Sequence, residues 1–105
     1  MIKVSVLYPN SEGSKFDIEY YCNSHMPMVA KKLGSALKRM DIDQGVGGGT
    51  PGSKPPYSGM CHLYFDSVDA FQNSFGPHAG EIMSDIPNYT DVEPGIQISE
   101  VKLSR

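Results

Sequence analysis

The sequence predicts an α+β domain of the ferredoxin-like type, a βαββαβ chain with both helices on one face of an antiparallel sheet. Three observations predict it. Segments 2–8, 37–46, 59–65 and 96–103 carry side chains with a period of two, the signature of strands. Two intervening segments, one after Ser14 and one after Asp66-Ser67, space their large apolar residues as a helix does. The chain has 105 residues, 39% hydrophobic and 20% charged, which is enough for one core and leaves little for a second.

Each element follows from its residues. Ile2 to Tyr8 is β-branched and alternating, and Pro9-Asn10 ends it. Ser14, with Asp17 three residues on, resembles a capping box and starts the first helix. Phe16, Tyr20 and Met28 recur along that helix, as do Tyr21, His25 and Val29. Pro27 removes a backbone donor and crowds the preceding turn, so a kink or restart is expected near His25-Met26-Pro27. Gly34 stops the helix.

In the second strand Met40 and Ile42 share one face, and Arg39, Asp41 and Asp43 share the other. Residues 47–58, GGGTPGSKPPYS, hold four glycines and three prolines and read as a mobile loop or arm. In the third strand, 59–65, Met60, His62 and Tyr64 face one way and Cys61, Leu63 and Phe65 the other. Asp66 or Ser67 caps a helix bearing Val68, Phe71 and Phe75, which Gly76-Pro77 breaks; a further turn or two runs from His78 to about Ser84. The last strand changes apolar phase between Ile98 and Val101, which predicts a bulge near Ser99-Glu100.

Composition narrows the function classes. The net charge of −3 argues against a phosphate-tracking nucleic-acid binder. No apolar run approaches the roughly 20 residues of a spanning helix, and MIKVSVLYPN lacks the features of a signal peptide. The expectation is a soluble, cytoplasmic protein with no membrane partner. Cys22 and Cys61 form no CxxC pair or zinc spacing and read as free thiols in a reduced compartment. Residues 1–40 carry six basic and three acidic side chains; residues 41–105 carry three basic and nine acidic. Solvated faces explain this most simply, although opposite-signed faces could also help two subunits find register.

Several motifs fail on inspection. Gly47-Gly48-Gly49-Thr50-Pro51-Gly52 satisfies GxGxxG on paper, but Ser53-Lys54-Pro55-Pro56 opens no helix to receive a pyrophosphate. His78 and Glu81 have a metal-compatible spacing with no third ligand nearby, so no metal is expected. No Gly-x-Ser-x-Gly elbow is present. Tyr21 and His25 are four apart and share a helical face, where a histidine could move a proton and a tyrosine could orient it. The plainer role for His25 is to bond a carbonyl freed by Pro27. His62 and Tyr64, beside Met60, would be the polar groups of any cavity that their strand face encloses; otherwise they are ordinary strand residues.

The opening MIKVSVLYPN, Phe16-Asp17 with Tyr20-Tyr21, His25-Met26-Pro27, Asp85-Ile86-Pro87-Asn88-Tyr89-Thr90, and the closing strand with Pro94 and Gln97 together resemble the ethyl tert-butyl ether degradation (EthD) family. The resemblance spans nearly the whole chain. It implies a dimeric α+β barrel, two ferredoxin-like subunits whose sheets pack to enclose cavities, and an association with degradation of small organic molecules. Residues 47–58 match no motif of the family. Similar barrels serve as cofactor-free monooxygenases, cyclases and isomerases, and some bind haem, for which His25 or His62 could be an axial ligand.

On that basis the expected function is action on a small organic ligand without a cofactor, by oxidation, cyclisation or isomerisation. His25 is the acid/base candidate, Tyr21 its orienter, and Met60, His62 and Tyr64 are lining groups. The alternative is a non-catalytic module that sequesters an intermediate for a monooxygenase pathway. A homodimer is expected on sheet geometry as well: two helices cover one sheet face, and the other, read from Met60 and Tyr64, would expose an apolar patch.

Overall fold

A computed structural model describes residues 1–105. The strands β1 (Ile2–Pro9), β2 (Arg39–Gln44), β3 (Tyr57–Phe65) and β4 (Gly95–Glu100) form one antiparallel sheet in the order β2-β3-β1-β4. The helices α1 (Ile18–Tyr20), α2 (Met26–Leu33), α3 (Val68–Phe75) and α4 (Ala79–Ser84) accompany it, with a π-helical turn at Tyr21–His25 joining α1 to α2. This is the predicted ferredoxin-like α+β topology. No helix is long and apolar enough to cross a membrane.

The register fixes which side chains share a face. Val4 lies opposite Leu63 and Ile98, Val6 opposite Cys61 and Ile96, and Met40 opposite Leu63. That face meets the helices. Val4, Tyr8, Cys61, Leu63 and Phe65 are buried there against Met26, Val29, Leu33 and Ile82. Burying each large apolar side chain contributes about 1.5–3 kcal/mol, and the Phe65–Phe71–Phe75 row, at 5.2 and 5.3 Å between centroids, extends the core beneath α3.

The opposite face is not the apolar patch expected. Met60 and Tyr64 do lie on it. Across the ladders, however, Tyr64 faces Lys3 and Arg39, Met60 faces Leu7 and Asp43, and His62 between them faces Ser5 and Asp41, with Gln97 and Ser99 beyond on β4. An apolar face needs apolar residues on every strand, and only Leu7 and Met60 supply them. The exposed apolar residues lie elsewhere: Ile96 and Ile98, 55% and 43% exposed, are on the helix side of the edge strand β4, beyond the cover of the helices.

The first helix starts later than Ser14 suggests. Asp17 is the N-cap, its Oδ1 accepting from the Tyr20 N–H at 3.1 Å, while the Ser14 hydroxyl donates to the Ser11 carbonyl. Phe16 is held out of the helix by an extended bridge to Thr90. Its ring lies on β3 at Gly59, where a Cβ would stand 2.6 Å from it, so a side chain there would have to displace the ring. The interruption predicted at Pro27 takes the form of the π-turn. Met26 N–H bonds the Tyr21 carbonyl five residues back, widening the chain just before the proline that has no N–H to give. Gly34, at φ +61°, ends α2 as predicted.

At the other end no bulge forms. β4 runs in regular register from Gly95 opposite Leu7 to Glu100 opposite Ile2, then stops. Its only neighbour is β1, which ends there; Val101 N–H still reaches the Met1 carbonyl at 3.1 Å, and Leu103 stands exposed beyond it. The phase change at Ser99-Glu100 therefore marks the end of the strand. Ser67 rather than Asp66 caps α3, accepting from Ala70 N–H.

Candidate functional site

The π-turn places Tyr21 and His25 on the inner side of the helix layer, both buried. Opposite them the turn Ile86–Asn88, flanked by Asp85 and Tyr89, closes over the same region. His25 Nδ1 lies 2.8 Å from Asp85 Oδ2. The other carboxylate oxygen accepts from the Tyr20 hydroxyl at 2.9 Å and from Asn88 Nδ2 at 2.8 Å. Burial raises the Asp85 pKa, but these three donors outweigh it and hold the carboxyl below its ordinary value. An anionic Asp85 fixes the tautomer: Nδ1 carries the proton and Nε2 keeps its lone pair.

Nε2 lies 3.4 Å from the Tyr89 hydroxyl, which in turn meets the Tyr8 hydroxyl at 2.6 Å. A chain thus runs from the partly exposed Asp85 through the buried His25 and Tyr89 to Tyr8. Burial lowers the His25 pKa below the imidazole value of 6.5, against an upward pull from Asp85, so the ring rests neutral. Burial pushes the Tyr8, Tyr21 and Tyr89 hydroxyls up and the Cys61 thiol up to about 11. Within this cluster His25 is the group suited to accept a proton near neutral pH.

Of these residues Tyr8, Tyr21, His25 and Cys61 border a cavity of about 70 Å³ between the helices and the sheet. Its walls are apolar, from Val4, Val6 and Leu63 on the sheet to Met26, Phe71 and Ile82 on the helices, and Ile96 and Met83 are its partly exposed members. Tyr8, Tyr21, His25 and Cys61 are its polar-capable groups. The volume amounts to roughly five water-sized spheres. His25 has Asp85 at 2.8 Å from Nδ1 and the Tyr89 hydroxyl at 3.4 Å from Nε2.

The residues predicted from sequence separate into two groups. Tyr21 and His25 meet at the cavity. The orienting contact on His25 nevertheless comes from Asp85: Tyr21 stacks on the imidazole, 5.6 Å between centroids and 14° between planes, and its hydroxyl reaches neither ring nitrogen. His25 bonds no freed carbonyl. Met60, His62 and Tyr64 lie on the far side of the sheet, because odd and even positions of β3 point oppositely. They do not line this cavity. There Ser5 Oγ meets His62 Nδ1 at 2.8 Å, Asp43 lies 3.3 Å from Nε2, and Tyr64 carries Arg39 over its ring. Glu81 pairs with Lys32, and no three His, Cys, Asp or Glu side chains converge. The cysteines are free, Cys22 exposed and Cys61 buried.

Asp85, Tyr89 and Tyr8 were absent from the sequence-based site. Asp85 is 60 residues from His25 and Tyr8 reads as an ordinary strand residue, so no spacing joins them. The one signal was that Asp85 to Thr90 belongs to the stretch carrying the family resemblance.

The EthD domain model matches residues 13–93. An EthD-like protein from Ralstonia eutropha JMP134 is 45% identical and superposes with a TM-score of 0.94, over 99% of this chain and 94% of that one. An ethyl tert-butyl ether degradation (EthD) family protein from Bacillus halodurans C-125 is 23% identical, with a TM-score of 0.61 over 90% of this chain and 96% of that one. HapK from Hahella chejuensis shares the fold at 12% identity, with a TM-score of 0.53 over 98% and 96% of the two chains. No curated protein matches the sequence. A domain model that takes in His25, Asp85 and Tyr89, and a 45% identical structure that follows the chain almost throughout, lead to one assignment: this chain belongs to the EthD family.

Proposed function

We propose that this protein holds a small, mostly apolar organic molecule in the cavity between helices and sheet and moves a proton on it, with His25 as the proton acceptor. The carrying observation is the buried neutral imidazole, fixed through Nδ1 by Asp85, at the edge of an otherwise apolar cavity. An apolar, shaped site holds the ligand in one geometry against that base, and burial keeps the imidazole in the neutral form that can take a proton. Isomerisation and cyclisation need that proton transfer alone; oxidation needs oxygen to follow it. The family name of the Bacillus relative, which concerns breakdown of a small ether, agrees with a cavity of this size and polarity.

The test is a panel of small ketones, phenols and quinols incubated with the protein in deuterated water. Deuterium incorporation or a new product supports the reading, and accompanying oxygen uptake marks the oxidative branch. Binding with neither exchange nor product overturns it in favour of a sequestering module.

The assembly proposed is a homodimer in which β4 and the segment after it meet a second copy. Ile96 and Ile98 on the sheet edge, and Leu103 at 75% exposure, are the surface that such contact would cover. Light scattering at micromolar concentration should report about twice the 11.5 kDa chain mass. A folded monomer there defeats the assembly.

A further inference from the structure

Tyr21, a residue of the cavity wall, carries a hydroxyl that the fold leaves without a hydrogen bond, and we propose that it identifies the ligand: the Tyr21 hydroxyl donates a hydrogen bond to the oxygen of a small neutral carbonyl compound. This deepens the reading above and rests on it.

Tyr21 is fully buried, and its Oη is the one buried side-chain polar atom with no hydrogen bond. Phenylalanine would fill the same space without leaving a hydroxyl unpaired, so the hydroxyl is a cost to the ligand-free protein. Its neighbours do not relieve it. The Tyr8 hydroxyl, bonded to Tyr89, and the Cys61 thiol, a weak acceptor, are its nearest polar neighbours, and neither meets it with hydrogen-bond geometry. Burial keeps the phenol protonated, so it has a proton to donate.

Geometry then selects the ligand class. Tyr21 and His25 stack on one wall of the cavity, so one small molecule can meet both. Such a molecule presents an accepting oxygen to Tyr21 and a removable proton to His25, which describes a ketone with a hydrogen on its α-carbon. The α C–H bond breaks, the proton goes to His25 Nε2, and the electron pair moves onto the oxygen as an enolate held by Tyr21 O–H. Returning the proton to a carbon completes an isomerisation or exchange, with no oxidant required. A carboxylate does not suit the site, since the lining contains no cation and burial of an unpaired charge is strongly unfavourable.

The experiment compares cyclopentanone with methylenecyclopentane, two molecules of one shape differing in the oxygen, by NMR titration of the full chain and its Tyr21→Phe variant. The wild-type chain is expected to bind the ketone roughly tenfold more tightly than the hydrocarbon. Tyr21→Phe should erase that preference, keep the hydrocarbon's affinity, and unfold at the same or a higher temperature without ligand. The proposal is overturned if the variant keeps the ketone preference, if the wild type shows none, or if the ligand-free variant is clearly destabilised. Those results leave the cavity reading standing. If neither probe binds the wild type, the cavity reading falls and this proposal with it.

Discussion

His25→Gln is expected to lower turnover of any substrate the cavity accepts by roughly 10²–10⁴-fold, the range associated with loss of a positioned acid or base. Glutamine keeps a polar side chain of similar reach toward Asp85, so binding of the neutral ligand should change only a few-fold. The loss therefore falls on kcat rather than KM. The pH profile gives a second readout. Burial favours the uncharged ring, so His25 takes up its proton below 6.5 and the acid limb of activity should lie below 6.5. Asp85→Asn removes the group pulling that pKa upward, and should move the limb lower still. The same displacement affects folding with a definite sign. The contribution of the neutral ring is complete above pH 6.5 and is lost as pH falls through the depressed folded value. Turnover unchanged in His25→Gln would remove His25 from the chemistry.

Tyr89→Ala is expected to be the most damaging single truncation for stability, at about 3–5 kcal/mol. Tyr89 is completely buried, and its ring lies within 4.6–6.3 Å, centroid to centroid, of Tyr8, Phe16, Tyr20, Tyr21 and His25. Its loss opens a void where the β1 end, the π-turn and the Ile86–Asn88 turn meet, and leaves the Tyr8 hydroxyl without its partner. Against a total of about 5–15 kcal/mol for a small domain, that is a large share. The urea midpoint should drop by at least about 1 M. Tyr89→Phe separates ring from hydroxyl: it keeps the packing and should cost about 1–3 kcal/mol, the penalty of the groups left unpaired. A wild-type midpoint in Tyr89→Ala would show that the aromatic cluster does not hold these turns together.

The strands were legible because burial imposes a period of two. β3 is the clearest case, with Cys61, Leu63 and Phe65 buried and Met60, His62 and Tyr64 only partly so. What misled was judging a sheet face from that strand alone: Met60 and Tyr64 suggested an apolar surface that Lys3, Asp41 and Asp43 on the adjoining strands deny. Ser14 offered a plausible cap, and only the long-range bridge from Phe16 to Thr90 moves the helix start to Asp17. The site was half legible. His25 and Tyr21 are local to one helix and could be paired by spacing. Asp85 and Tyr89 join them through tertiary contact, which single-chain periodicity does not encode. The unpaired state of the Tyr21 hydroxyl is a property of its surroundings and has no signature in the sequence.

The position of β1 inside the sheet shapes how this chain must fold. It is the first strand in sequence, yet its two neighbours are β3 and β4, so Ile2 pairs with Phe65 on one side and Glu100 on the other. Closing those distant contacts costs chain entropy before the ladders return it, which slows folding relative to helical domains of the same size. During synthesis β1 waits with both edges unpaired, and one stays open until residues 95–100 emerge. Until the helices and β3 emerge, Val4, Val6 and Tyr8 lack the partners that cover them in the folded domain, which leaves this stretch of the nascent chain open to misassociation.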